Sequence, residues 1–111
     1  MYTKSKIQLI NEALLLKSEF ESGLKNIMEK YQVEDSIFIY NKNVYEATKG
    51  YFVINEEYSD LHEAISNCNI FQQGIRIIDN SKYQVGYIFN SLSECPKDKQ
   101  ILDIDCLEYT N

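Results

Sequence analysis

Apolar residues recur along the first third of the chain with the period of an α-helix. Roughly helical spacing relates Ile7, Ile10, Leu14, Phe20, Leu24, Ile27, Met28 and Tyr31. Ser5 and Gln8 have the spacing of a capping box, in which two side chains bond free backbone amides at a helix start. We therefore predict one long helix from about Ser5 to Tyr31. Its buried face should comprise Ile10, Leu14, Phe20, Leu24 and Ile27.

Gly23 interrupts this pattern, because a glycine costs about 1 kcal/mol relative to alanine inside a helix. Ser18 and Glu21 could cap a second helix start. Two consecutive helices are therefore the alternative to one long helix.

Strand-forming residues follow from Ser36. The segment 36–40 is rich in β-branched and aromatic residues, and 41–43 has turn chemistry. Strand character continues at 44–45 and 51–54, interrupted at 48–50. The interruption is either a bulge in one strand or a turn between two strands.

A short second helix is predicted to begin at Ser59 and to reach about Cys68. Asp60 and Glu63 lie at its N-terminal end, where negative charge is favourable. Its buried face should comprise Leu61, Ala64 and Ile65.

The last third of the chain predicts three strands. Segments 74–79 and 82–90 flank Asn80 and Ser81 and predict a β-hairpin, while 101–107 predicts a final strand. Because side chains alternate along a strand, Asp103 and Asp105 should share one face of it.

These elements predict an α+β fold made as a single domain of residues 1–111. The sheet is mainly antiparallel with five or six strands. The long N-terminal helix packs on one face and a short second helix follows, in the order α-β-β-α-β-β-β.

The charge balance narrows the choice of partner. The chain has 11 basic and 17 acidic residues, a net charge of −6, which disfavours nucleic acid or an anionic membrane. The acidity is uneven, because residues 1–33 sum to +1 and residues 34–111 to −7. The sheet half of the protein is therefore the acidic half.

Several features concern compartment and cofactors. The N-terminal apolar stretch is broken by Gln8, Asn11 and Glu12, which is not typical of a signal peptide, and we expect a cytoplasmic protein. The three cysteines, an odd number without a C-x-x-C pair, predict neither disulfides nor structural zinc. We expect no cofactor and no metal.

Catalytic groups are scarce in the sequence. His62 is the sole histidine, and Cys68, six residues later, lies too far around the helix to share a face with it. Arg76 is the sole arginine and is expected either to lie over an aromatic face or to pair with a neighbouring carboxylate. Phosphate-binding loops are excluded because the glycines are isolated, at Gly23, Gly50, Gly74 and Gly86. The sequence therefore predicts a protein that is not an enzyme.

Tyrosines and carboxylates together favour a recognition surface on the sheet half. The predicted function is a small acidic immunity-type inhibitor that neutralises a basic partner, such as a bacterial toxin nuclease. The alternative is a homodimeric interaction or scaffold module without catalytic activity. The residues predicted to bind the partner are Asp103, Asp105, Glu56, Glu57, Asp79 and Tyr109.

Overall fold

Two α-helices and seven β-strands make up the described part of the chain. The computed structural model describes residues 6–39, 45–68, 73–106 and 108–109. The helices are α1 (Lys6–Lys30) and α2 (Leu61–Ser66), and a short 3-10 helix spans Leu92–Glu94. The strands are β1 (Ser36–Ile39), β2 (Tyr45–Glu46), β3 (Tyr51–Tyr58), β4 (Gln73–Asp79), β5 (Lys82–Phe89), β6 (Ile101–Asp103) and β7 (Glu108–Tyr109).

The strands form one sheet in the order β2-β1-β4-β5-β3-β6-β7, and every pair of neighbours is antiparallel. The outermost strands, β2 and β7, have two residues each. The predicted α+β fold with an antiparallel sheet is confirmed. The five longer strands match the predicted five or six, and the two short edge strands extend the sheet.

Helix α1 runs without a break through Gly23, so the alternative of two consecutive helices is wrong. The backbone N–H of Tyr31 donates to the Ile27 carbonyl at 2.9 Å, which closes the last turn. The predicted start at Ser5 lies outside the described residues.

Helix α1 packs on one face of the sheet through its C-terminal half. Phe20 and Leu24 are fully buried, as predicted, and Ile27 is half-buried. They belong to the helix-side core, whose buried members are Phe20, Leu24, Phe38, Leu61, Ala64, Ile65, Cys68, Ile75, Ile77, Tyr83 and Val85.

Leu14 was predicted to be buried, and this prediction is wrong because 58% of the residue is exposed. The physical reason is that α1 is longer than the sheet it packs on, so its N-terminal half extends beyond the strands. A helix of 25 residues is about 37 Å long, whereas the longest strands, of eight residues, span about 26 Å. The predicted burial of Ile10 concerns a side chain outside the described residues.

The other face of the sheet encloses a second core because the sheet curls. The concave core comprises Ile37, Ala47, Phe52, Leu102 and Ile104. It joins side chains of β1 and β6, although three strands separate these two in the sheet. Gly86 on β5 allows β3 to lie unusually close, since a Cβ atom at this position would lie 2.2 Å from the carbonyl oxygen of Val53.

The interruption at residues 48–50 is a connection between two strands rather than a bulge. β2 pairs with β1 at one edge, whereas β3 lies between β5 and β6. Gly50 adopts a φ of +113° in this connection, a conformation that glycine tolerates best.

The remaining predicted elements fall close to their expected places. The β4–β5 hairpin turns at Asn80 and Ser81, as predicted. α2 is shorter than predicted, and its N-cap is Asp60 rather than Ser59, because the Asp60 carboxylate accepts from the Glu63 amide at 3.0 Å. In the described residues, no helix combines the length and apolar character needed to cross a membrane.

Candidate functional site

The residues predicted to bind a partner lie at two opposite ends of the sheet. Glu56 and Glu57 lie near the C-terminal end of β3, next to the β4–β5 turn with Asp79. Asp103 pairs with Tyr51 at the other end of β3. Since a strand rises about 3.3 Å per residue, the two groups are about 20 Å apart. They form two surfaces: the hairpin end (Glu56, Glu57, Asp79) and the β6 end (Asp103, Asp105).

The β6 end differs from the predicted continuous strand over residues 101–107. β6 ends at Asp103, and residues 104–106 form a turn. The Asp103 carboxylate accepts a hydrogen bond from the backbone N–H of Asp105 at 3.1 Å. The prediction that these aspartates share a strand face is therefore wrong, because the side chain of Asp103 bonds the chain locally and favours a turn.

Positive charge accompanies the acids at the β6 end. Exposed Asp105 lines an open cavity of ≈ 400 Å³ together with Lys49, Gly50, Tyr51 and Asn90. Tyr109 pairs with Leu102 through the β7 backbone. Its predicted role as an aromatic anchor concerns a side chain outside the described residues.

Asp79 shapes the turn of the β4–β5 hairpin. Its Oδ1 accepts hydrogen bonds from the backbone N–H and the hydroxyl of Ser81, both at 2.8 Å. These two hydrogen bonds hold the pKa of Asp79 below its usual value, and the one from the Ser81 backbone has the larger effect. The carboxylate stays ionised and exposed while it stabilises the turn.

Glu56 and Glu57 point to opposite faces of the sheet. A bulge between Ile54 and Glu56 sets their register, so that Glu56 pairs with Val85 and Glu57 with Gln84. The Glu56 carboxylate accepts a hydrogen bond from the hydroxyl of Tyr58. This hydrogen bond, more than burial, raises the pKa of Tyr58 to about 12.

Glu57 ends a row of hydrogen-bonded polar side chains that crosses the sheet. We call this row the polar ladder, and it comprises Asp35, Arg76, Gln84 and Glu57. The Arg76 guanidinium donates from Nε and Nη2 to the two carboxylate oxygens of Asp35, at 2.5 and 2.9 Å. Its Nη1 donates to Gln84 Oε1 at 2.9 Å, and Gln84 Nε2 donates to Glu57 Oε1 at 3.0 Å.

Strand register explains the ladder. Arg76 on β4 pairs with Gln84 on β5, and Gln84 pairs with Glu57 on β3. Residues directly opposite in a sheet have side chains on the same face within contact distance. Arg76 and Gln84 are 7% and 6% exposed, so each needs the partners that the ladder supplies.

Asp35 enters the ladder from the connection between α1 and β1. It adopts a φ of 45°, a left-handed conformation that aspartate tolerates better than most residues. Its backbone N–H donates to the Ile78 carbonyl at 3.2 Å, which fixes it beside β4.

The predicted pairing of Arg76 with a carboxylate is confirmed, with Asp35 as the partner. Asp35 and Gln84 were not among the predicted site residues. The signal that pointed to them was the single arginine between Ile75 and Ile77, a polar residue on an otherwise apolar strand.

His62 lies on the outer side of α2 and is 73% exposed in its side chain. Its Nδ1 lies 2.7 Å from Glu21 Oε1, while Lys25 Nζ lies 2.9 Å from Glu21 Oε2. Burial raises the pKa of Glu21, but hydrogen bonds from Lys25 and His62 outweigh it and leave the pKa below its usual value. Glu21 thus links α1 to α2.

The two buried thiols, Cys68 and Cys95, are poor nucleophiles because burial raises the pKa of each. Cys68 and Cys95 are buried and Cys106 is exposed, all three unbridged. Burial raises the pKa of Cys68 to about 12, so the thiol is protonated at neutral pH. Within the ranges that the structure describes, no three His, Cys, Asp or Glu side chains are grouped so as to hold a metal ion.

Comparisons with protein-family models, with curated proteins and with solved structures found no match to this chain.

Proposed function

We propose that this protein is a small acidic binding protein that neutralises a basic partner, in the manner of a bacterial immunity protein. It would act in the cytoplasm by covering the partner, such as a toxin nuclease, and without catalysis. The observation that carries the proposal is the fixed position of the Glu57 carboxylate at the hairpin end, held by the polar ladder.

A fixed carboxylate is a good anchor for a lysine or arginine of the partner. A flexible side chain loses rotamer freedom when it binds, and a side chain already held in place loses less. A carboxylate has about four acceptor sites. The bond from Gln84 therefore leaves Glu57 able to accept hydrogen bonds from a partner.

The charges around Glu57 favour a basic partner. Asp79 stays ionised beside the turn, and Glu56 is exposed on the other face of β3. Arg76 is the positive member of the ladder, and its charge is offset by Asp35. Grouped acids speed association with a basic surface and make the rate salt-dependent.

The test compares two variants that each lose two charges, one at each end of the sheet. Glu56→Gln with Glu57→Gln changes the hairpin end, and Asp103→Asn with Asp105→Asn is the matched control at the β6 end. Each immobilised protein is exposed to lysate of the source cells, and retained proteins are identified by mass spectrometry.

We expect wild type and the control to retain the same basic protein. The hairpin-end variant should bind that protein at least tenfold more weakly, which corresponds to about 1.4 kcal/mol. Loss of binding in the control alone would assign the β6 end as the binding surface. Retention of no basic protein by any of the three would contradict the proposed function.

A further inference from the structure

A cavity opens at the hairpin end, on the helix side of the sheet, where α1, α2 and the β4–β5 turn meet. We call it the helix-side cavity. It has a volume of ≈ 400 Å³ and is lined by apolar Met28, Leu61 and Tyr83 and by charged Lys25, Glu29 and Asp60, among others. The apolar three belong to the helix-side core or pack against it. The cavity therefore combines an apolar wall with charged groups.

Two side chains of the cavity are held in place by the fold. Tyr83 is 4% exposed, and its hydroxyl donates to the Asn80 carbonyl at 2.9 Å. The Asp60 carboxylate accepts from the Glu63 amide at 3.0 Å as the N-cap of α2. A ligand that binds here does not have to order these groups, which lowers the entropic cost of binding.

Acids outnumber free cations around the cavity. Glu29 and Asp60 are exposed acids that line it, and Lys25 is the cation beside them. Lys25 Nζ lies 2.9 Å from Glu21 Oε2, so the charge of this lysine is offset within α1. The lining thus attracts a positively charged group.

The negative charge also acts on the buried side of the cavity. Burial is the main cause that raises the pKa of Tyr83, and the charges of Asp60 and Asp79 raise it further. Asp60 begins α2 and Asp79 precedes the β4–β5 turn, so acids on two elements contribute to the potential there.

Glu56 of the hairpin end lies on the same face of the sheet as the cavity. It pairs with Val85, a residue of the helix-side core, whereas Glu57 pairs with Gln84 on the other face. A partner that covers the hairpin end from the helix side therefore meets both Glu56 and the cavity.

We propose that the helix-side cavity takes the side chain of a lysine of the partner protein. This inference rests on the proposed function, because the lysine belongs to the basic partner. The four-carbon stem of the lysine lies along Met28, Leu61 and Tyr83, and its ammonium group bonds Asp60 and Glu29.

The two acids favour lysine over arginine. Asp60 lies at the start of α2 and Glu29 on α1, and a compact ammonium group has three donors for carboxylates on separate elements. A planar guanidinium is best matched by both oxygens of one carboxylate. Asp60 already uses one of its oxygens, Oδ2, for the Glu63 amide.

The first experiment titrates isotope-labelled protein with Nα-acetyl-lysine methylamide and follows the backbone amides by NMR. We expect saturating shifts at Leu61 and Asn80, which line the cavity, with a dissociation constant of about 1 mM for a ligand of this size. The norleucine analogue has a similar stem without the charge and should not saturate. Equal shifts from both compounds, or none at these amides, would overturn the proposal.

A shorter amine tests the apolar wall. The diaminopropionate analogue keeps the ammonium group but lacks three methylenes, and it should bind at least about threefold more weakly than the lysine compound. Equal affinity of these two amines would show that the stem does not contact the wall, contrary to the proposal.

Glu29→Gln with Asp60→Asn removes both charges and keeps the shape of each side chain. Asparagine caps a helix as well as aspartate does, so this variant should fold as wild type does. Its affinity for the lysine compound should be at least about fivefold weaker. Unchanged affinity would contradict the assignment of these two acids.

Glu94→Gln with Asp98→Asn is the matched control. Both residues are exposed and follow the end of β5 that lies away from the hairpin end. This variant should bind the lysine compound like wild type, and an equal loss in both variants would mean that net charge alone attracts the amine. The titration uses no partner protein, so its failure is distinct from a failure to retain a basic protein from lysate.

Discussion

At the scale of single residues, Arg76 is a buried charge that is held within the fold by hydrogen bonds to its neighbours Asp35 and Gln84. It is 7% exposed and bonds both oxygens of Asp35 as well as Gln84. Bidentate guanidinium–carboxylate pairs are among the stronger hydrogen-bonded contacts in proteins. A buried charge without its partner is costly, so the pair holds the α1–β1 connection against β4.

We expect Arg76→Met to lower the free energy of unfolding by about 2–3 kcal/mol, because Asp35 and Gln84 lose their donors. The figure is at the lower end for a broken ion pair because the Asp35 side chain is 36% exposed. Urea unfolding measures the change. Lys82→Met on the exposed start of β5 is the control and should shift stability by under about 0.5 kcal/mol. Equal effects in both variants would show that the ladder does not stabilise the fold.

Cys68 makes stability depend on pH in alkaline solution. Burial raises its pKa from the usual 9.0 to about 12, so above pH 9 the thiol ionises in the unfolded chain but not in the folded one. The contribution of the neutral Cys68 thiol to the free energy of unfolding is complete below pH 9 and is lost as the pH rises towards 12. We expect wild type to lose roughly 1–2 kcal/mol more than Cys68→Ala between about pH 9 and 10.5.

Urea unfolding across this pH range measures the difference. Cys106→Ala is the control, since Cys106 is exposed and should leave the slope unchanged. Tyr58, Tyr83 and Cys95 also have raised pKa values, but all three groups are present in each protein, and Cys68 is the smallest of the causes that raise the pKa of Tyr58. Parallel curves for wild type and Cys68→Ala would contradict the assignment.

At the scale of elements, α1 is divided by its contacts rather than by its sequence. Leu14 and Leu24 both fit the apolar period, yet Leu24 is buried and Leu14 is 58% exposed. We expect Leu24→Ala to cost about 2–5 kcal/mol through the cavity it leaves. Leu14→Ala should cost less than about 0.5 kcal/mol. Thermal unfolding of the two variants compares them, and a large loss in Leu14→Ala would mean that its surface is covered.

Local pattern predicted the elements that depend on neighbours in sequence. The continuous helix α1, the β4–β5 hairpin and the change of period after residue 33 all follow from spacing and turn chemistry. The end of β6 was missed because the Asp103 side chain bonds a nearby amide, a choice that alternation of apolar residues does not reveal.

Contacts between distant residues could not be predicted from the same pattern. Asp35 and Arg76 are 41 residues apart and meet only because β1 pairs with β4. The curl that brings β1 and β6 to one core depends on strand order, which the sequence does not state. The acids predicted to bind a partner remain a prediction, and their division between two ends of the sheet follows from the register of β3, which the sequence pattern does not give.

At the scale of the whole molecule, the hairpin end is well separated from the exposed leucines of α1. The hairpin end lies near Asp35, which follows the C-terminal end of α1. Leu14 lies sixteen residues before Lys30, about 24 Å back along the helix axis. The exposed leucines therefore lie outside the surface proposed for the basic partner.

The sheet separates the helix-side core from the concave core, and we expect these two cores to unfold together as one domain. Ile77 lies in the helix-side core and Ile37 in the concave core, both nearly fully buried. The two residues lie on β4 and β1, which pair with each other. Because the cores share these strands, neither can lose its packing while the other remains intact.

Ile77→Val and Ile37→Val make the same small change on each side of the sheet. Each should lower the free energy of unfolding by about 1 kcal/mol. Far-UV circular dichroism reports mainly on the helices, and tyrosine fluorescence reports on the strands that carry Tyr51, Tyr83 and Tyr87. We expect both probes to give one urea transition in each variant, shifted equally. If either variant gave two urea transitions, or a transition that differed between the two probes, the two cores would be separate cooperative units. The single-domain prediction would then be wrong.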